Sequence, residues 1–205
     1  MTAPRRALIL VDVQQEYFEG PLAIKYPPSS DSLANILRAV DTAEQAGMPI
    51  AVIQHVAPEG FPVFAEGSNG QELHPDISAR LGNTWKHATK SFASIFPETD
   101  LDEWVRENQI EAITLVGYMT NNCILGTAVD AEPRGLTVEV LSDATGAIAL
   151  SNAAGSASAQ QVHETLMALL NSNFAVVTTT DVWQSAVVDG SGLEGSNLVE
   201  SAMNG

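Results

Sequence analysis

Cys123 is the only cysteine in 205 residues, and it stands in the run LVGYMTNNCILG from Leu115 to Gly126. The run passes from an apolar segment, through glycine, threonine and two asparagines, into a segment with helical character. A thiol in the first turn of a helix lies near the positive end of the backbone dipole, which favours thiolate. A nearby carboxylate could accept its proton and make it a nucleophile. The competing reading is that a free cysteine is usually a small, buried, inert hydrophobe. Asp12 supplies a carboxylate at the end of the first apolar run, although an acid in that position often only caps a neighbouring loop. In an open parallel sheet, ligands bind outside the carboxyl ends of the strands. Asp12 and the segment Gly117 to Cys123 both fall there.

The four histidines are the other candidates for a base. His163 lies in the helical pattern QQVHETLMALL and reads as a packing or capping residue. His74 and His87 flank a long loop, and His55 ends the second strand. No HExxH and no Cys/His cluster occurs, so a zinc site has little support. GSGLEG at Gly190 to Gly195 matches a dinucleotide-binding glycine pattern, but no strand–turn–helix unit surrounds it. Neither GxSxG nor GxxxxGK[ST] is present.

Strands and helices must alternate to position these residues. Ala7 to Val13 is a continuous apolar run, as expected of a strand covered on both faces. Asp31 or Ser32 can cap a helix carrying Leu33, Ile36, Leu37, Val40 and Ala43 on one face, with Gly47 placed to stop it. Pro49 to Val56 reads as the second strand. Ala57 to Thr84 is rich in Pro, Gly, Asn and Ser, a loop long enough to suggest function. Thr99 caps a short helix, and Glu111 to Gly117 forms the third strand. A helix around Cys123 to Ala131, a strand from Thr137 to Ser142, a helix near Ala153 to Asn171 and a strand from Phe174 to Thr180 complete the pattern. This alternation predicts a three-layer α-β-α sandwich around a mostly parallel sheet. One domain over 1–188 is expected, followed by a flexible acidic tail at 189–205.

Bulk composition narrows the partners. The chain is 45% hydrophobic and 17% charged, which excludes a disordered protein. Twenty-five acidic and nine basic residues give a net charge of −16. Such a surface repels phosphate backbones and anionic lipid, so neither nucleic acid nor membrane is an expected partner. The N-terminal apolar run, Ala7 to Val11, is shorter than the roughly 7–15 residues of a secretory signal core. With a single cysteine no internal disulfide can form, and a reducing, cytoplasmic setting is expected.

Four blocks occur in order: LILVDVQQEYF, then K-x-x-x-SIFPETDL from Lys90, then LVGYMTNNC, and LSDAT at Leu141 to Thr145. In this order and spacing, from about Ala7 to Val182, the chain resembles the isochorismatase-like cysteine hydrolases. These include nicotinamidases, N-carbamoylsarcosine amidase and related amidohydrolases, with a Rossmann-like fold. The resemblance implies a catalytic triad of Asp12, Lys90 and Cys123. It implies a non-proline cis peptide at Tyr118-Met119, and an oxyanion hole formed by the N–H groups of Met119 and Cys123. By itself the sequence leaves Lys90 as an ordinary solvated loop cation. Metal-dependent nicotinamidases carry an Asp-x-His at the end of the second strand. Here that stretch reads Gln54-His55-Val56, so no metal and no other cofactor is expected.

Isochorismatases proper cleave a vinyl ether without the cysteine, so retention of Cys123 favours acyl chemistry on a small amide or carbamoyl substrate. Phe18, Phe92, Phe96 and Tyr118 are candidate pocket walls, with Gln54 as a polar contact, although core packing is an equal reading for the aromatics. Family precedent implies a homo-oligomer. A vinyl-ether hydrolase, a non-catalytic binding protein and a thiol sensor stay open as rivals; the last lacks a resolving cysteine.

Overall fold

Successive residues of the first strand point to opposite faces of the sheet, and both faces are apolar. In the computed structural model, which describes residues 3–205, Leu8 and Leu10 of β1 (Arg6–Val11) enter one core while Ala7, Ile9 and Val11 enter another. The first two residues of the expected 1–188 domain lie outside the described residues.

Strand β1 leads through α1 (Glu16–Glu19) to α2 (Ser29–Gln45) and β2 (Ile50–His55). Then follow α3 (Pro75–Ser78), β3 (Lys86–Lys90), α4 (Leu101–Glu107), β4 (Ala112–Tyr118), α5 (Leu125–Ala131) and β5 (Thr137–Gly146). The chain ends through β6 (Leu150–Asn152), β7 (Gly155–Ala157), α6 (Ala159–Leu169), β8 (Val176–Thr178), α7 (Thr180–Val188) and α8 (Leu198–Met203). The described residues form one six-stranded sheet, all parallel, in the order β3-β2-β1-β4-β5-β8. Helices α2 and α7 cover one face through residues such as Ile36, Val40 and Trp183. Helices α4, α5 and α6 cover the other through Leu101, Ala128 and Met167. The expected α-β-α sandwich is thus the observed architecture.

Several boundaries differ from the expected ones, each for a physical reason. Helix α2 begins at Ser29, directly after Pro28, so Ser32 is interior and its hydroxyl pairs with the Tyr118 hydroxyl at 2.8 Å. Strand β3 falls in a stretch left unassigned by the pattern, because KHATK is an edge strand with little apolar signal. The 57–84 loop is not structureless: it contains α3 and buries Phe64 and Leu73. Strand β5 runs on to Gly146 past a register shift opposite Leu115 to Gly117, with Asp143 inside it. Asp143 Oδ1 accepts from the Thr180 amide and hydroxyl, at 2.9 and 2.7 Å, and so anchors α7. The hairpin β6–β7 precedes α6, which begins at a Ser158–Gln161 capping box rather than at Ala153.

Beyond α7 the chain still contacts the body. The Ser191 carbonyl accepts from Arg6 Nη2 at 3.0 Å, and Leu193 packs against the core. Helix α8 presents exposed Leu198, Val199 and Met203. Among the described residues no helix is long and apolar enough to cross a membrane.

Candidate active site

The strand order reverses its direction of growth between β1 and β4. From β1 the chain builds outward to β2 and β3, and from β4 outward to β5 and β8 on the other side. At such a switch point the loops leaving adjacent strands diverge and open a crevice at their carboxyl ends. Asp12 follows β1 there, and the turn Thr120–Ile124 follows β4. Gly117 makes their approach possible. It has φ +103°, and a Cβ on it would collide with the Val11 carbonyl oxygen. Asp12 itself has φ +49°, which turns the chain sharply out of the strand. The Tyr118-Met119 peptide is cis.

Lys90 ends β3, two strands from β1, a lateral distance of roughly 9–10 Å that a lysine stem can largely cross. Its ammonium reaches Asp12 Oδ2 at 2.7 Å, and both side chains are fully buried. It donates to the Phe92 carbonyl at 3.1 Å and to Cys123 Sγ at 3.2 Å, and lies 3.3 Å from His55 Nδ1. The Asp12–Lys90 contact is a buried, charge-assisted ion pair, and Asp12 also lies within hydrogen-bonding reach of the Cys123 thiol. Among the described residues no backbone carbonyl accepts from the Met119 N–H.

The electrostatics differ from the sequence expectation of a thiolate. Burial pushes the Cys123 thiol well above its ordinary value, and the Asp12 charge adds to this; the Lys90 ammonium opposes both without cancelling them. Cys123 does lie in a helical turn, Thr120–Ile124, that runs on into α5, but the dipole there does not offset the burial of the sulfur. The resting sulfur is therefore a thiol that needs a base. Burial also works against the charge on Lys90, but Asp12 and the Cys123 sulfur outweigh it and raise its pKa. Tyr17, packed between Phe64 and Tyr118, has its pKa raised, chiefly by burial.

Asp12, His55 and Cys123 offer ligand atoms within 4.8 Å of one another, a spacing that suits a cation. The Lys90 ammonium is in contact with all three, so the cation held there is the lysine's own.

The turn that carries Cys123 has its own support, which the four blocks only partly disclose. Thr120 Oγ1 lies 3.1 Å from both Thr145 Oγ1 and His163 Nδ1, tying the turn to β5 and α6. His163 is therefore more than packing. Burial, opposed by a Ser142 backbone contact and Glu164, holds its pKa below 6.5; burial and Lys90 do the same to His55. For both residues the unfolded chain binds a proton at a pH where the folded protein does not. Stability therefore falls as pH drops through 6.5. The melting temperature is expected to decrease from pH 7.5 to 5.5, a window above the ordinary carboxylate titrations. The slope should be shallower in His163→Asn, as read by scanning calorimetry.

The expected pocket walls fare differently. Phe18 is half-buried and meets the rings of Tyr118 and His74 at 5.6 and 4.4 Å, so it borders the crevice. Gln54 is half-buried and donates to the Gln71 carbonyl at 3.3 Å. Phe92 contributes its carbonyl to Lys90, while its ring is half exposed. Tyr118 is fully buried with its hydroxyl on Ser32, so it backs the site rather than facing a ligand. Phe96 is corrected outright: its ring is buried in the core with the Arg134 guanidinium 4.2 Å above it. A groove of about 400 Å³ lined by Val56, Thr89, Lys90 and Ser91 adjoins the cluster. A larger groove, about 930 Å³ between α2 and α7, is lined by Thr42, Gln184 and Val188 and by none of Asp12, His55, Lys90 and Cys123.

These features define an α/β protein with a buried cysteine–carboxylate–ammonium cluster at the switch point of its sheet. The isochorismatase domain matches residues 6–182, and the chain belongs to the isochorismatase family of hydrolases. A candidate isochorismatase from Burkholderia xenovorans LB400 superimposes with a TM-score of 0.96 at 47% identity, covering 99% of this chain and 97% of that one. The secreted isochorismatase effector Isc1 of Verticillium dahliae is 32% identical over 68% of this chain and 71% of its own. A nicotinamidase/pyrazinamidase of Mycobacterium tuberculosis is 30% identical over 70% of this chain and 87% of its own.

Proposed function

We propose that this chain hydrolyses a small amide or carbamoyl compound through a thioester on Cys123. The observation that carries this reading is the buried Asp12 carboxylate, paired with Lys90 and placed beside a thiol that burial keeps protonated. Asp12 takes the thiol proton as the sulfur attacks the carbonyl carbon. The carbonyl π pair moves onto oxygen, where the N–H groups of Met119 and Cys123 receive it. Donors of this kind are worth about 3–4 kcal/mol each. Collapse breaks the C–N bond, and Asp12 returns its proton to the departing nitrogen. Water then attacks the thioester, giving its proton to Asp12, and the acid leaves as the thiol re-forms. Lys90 holds the carboxylate and the sulfur in register throughout. The nicotinamidase/pyrazinamidase relative supports amide chemistry, and the lone cysteine suits a reducing compartment.

The test begins with an ammonia-release screen over small primary amides and carbamoyl compounds, run in chelating buffer. With an active compound, acid quenching during turnover is expected to trap protein heavier by the acyl group, with the mass mapping to Cys123. Added hydroxylamine should divert product to the hydroxamate. Ammonia release with no adduct, no burst and no hydroxamate across several substrates would indicate direct attack by water.

A further inference from the structure

We propose that His55 is a positioning residue for Lys90, its neutral Nδ1 accepting from the ammonium and aiming it at Asp12 and Cys123, and that protonation of His55 releases this hold. The inference rests on the proposed role of Lys90 and adds a fourth member to the cluster. His55 and Lys90 are direct register partners on the neighbouring strands β2 and β3, so both side chains leave the same face of the sheet. Nδ1 lies 3.3 Å from Nζ, and an ammonium can only donate, so Nδ1 is the acceptor and the ring proton sits on Nε2.

The histidine is held from several sides. Gln14, fully buried, accepts from the His55 N–H at 2.8 Å and donates to its carbonyl at 2.9 Å. The same Gln14 amide donates to the Gln71 carbonyl at 2.7 Å, and Phe64 packs on the imidazole at 5.1 Å between ring centres. A side chain that merely filled space would not need its backbone clamped at both ends.

The ammonium has three protons and four neighbours. His55 Nδ1 and the Phe92 carbonyl anchor it from outside the reacting groups, leaving its remaining N–H and its charge for Cys123 and Asp12. The charged or titratable groups facing His55 are Lys90 from β3, Asp12 beyond β1 and Cys123 beyond β4. An imidazolium would place a second cation against Lys90 and offer Asp12 a competing donor. Burial and Lys90 both resist that proton, which keeps the arrangement intact below pH 6.5 until His55 titrates.

Two variants and two readouts test this. His55→Leu removes the acceptor, and His55→Asn keeps an acceptor that cannot titrate. The first readout is the pH profile of Cys123 alkylation by iodoacetamide, which needs no substrate. His55→Leu should move that profile to higher pH, because a loosened ammonium no longer opposes thiol protonation as strongly, and His55→Asn should move it back. The second is hydrolysis: His55→Leu should lower kcat by about tenfold or more, the scale on which an orienting partner matters, with little change in KM. His55→Asn should recover most of this loss, and its acid limb should show one titrating group fewer than wild type.

An unshifted alkylation profile together with unchanged kcat in His55→Leu would reduce His55 to packing. An unaltered acid limb in His55→Asn would overturn the protonation switch. If Cys123→Ala kept its turnover, the thioester reading would fail, but the alkylation profiles would still decide whether His55 holds Lys90. If His55→Leu does not fold, His55→Asn and its acid limb decide the matter.

Discussion

Cys123→Ala is expected to lower kcat/KM on an active amide by four to six orders of magnitude, on the order of what loss of a covalent nucleophile costs. The size of the effect follows from the mechanism. Without the sulfur no thioester can form, and the Met119 and Cys123 amides would be left to assist only a direct attack by water. The fold should survive, because the side chain is small and buried among Ile124, Leu115 and their neighbours. Loss of its sulfur is expected to cost only about 1 kcal/mol, near the centre of the range for point mutants. The experiment is steady-state ammonia release, with a melting curve to show that the variant is folded. Near-normal turnover would eliminate nucleophilic catalysis by the thiol and return attention to the vinyl-ether reading, which needs Asp12 but not Cys123.

Asp12→Asn should move two readouts in opposite directions. Hydrolysis is expected to fall by about 10²–10⁴-fold, the usual contribution of a positioned base. Thiol alkylation at neutral pH should instead become faster. The Asp12 charge raises the Cys123 pKa while Lys90 lowers it, so removing the carboxylate leaves burial alone to oppose the ammonium. Greater sulfur reactivity with less turnover would separate the base from the nucleophile in one variant. The structure adds a cost that strand-end placement does not suggest. Asp12 and Lys90 form a fully buried ion pair, and removing one partner of such a pair typically costs about 3–5 kcal/mol. The melting temperature should fall accordingly, rather than matching that of wild type. Retained hydrolysis would remove Asp12 from the role of base.

The two central residues could be placed from local pattern alone. ALILV is apolar on both faces, so Asp12 had to emerge at the end of a buried strand, and LVGYMTNNC had to break from strand into turn at the thiol. The parallel sheet followed from alternation, and the order of the four blocks carried the family. Lys90 as a partner of the thiol came only through that resemblance. KHATK is an edge strand with too little apolar periodicity to be seen, and the reach of Lys90 depends on which strand lies between it and Asp12.

Tertiary structure decided the rest. Register set His55 beside Lys90, and the fold of the 57–84 loop brought Phe64 onto its ring. Packing placed Phe96 under Arg134 and turned the Tyr118 hydroxyl to Ser32, uses that an isolated aromatic residue does not announce. The protonation state of Cys123 was decided in the same way. The helix dipole and the Lys90 ammonium argue for thiolate, whereas desolvation depends on everything packed around the sulfur, and it prevails. A sequence specifies which residues can ionise and which segments alternate. How far each charge is removed from water, and which side chain stands opposite it, is a property of strand order and packing that no local window contains.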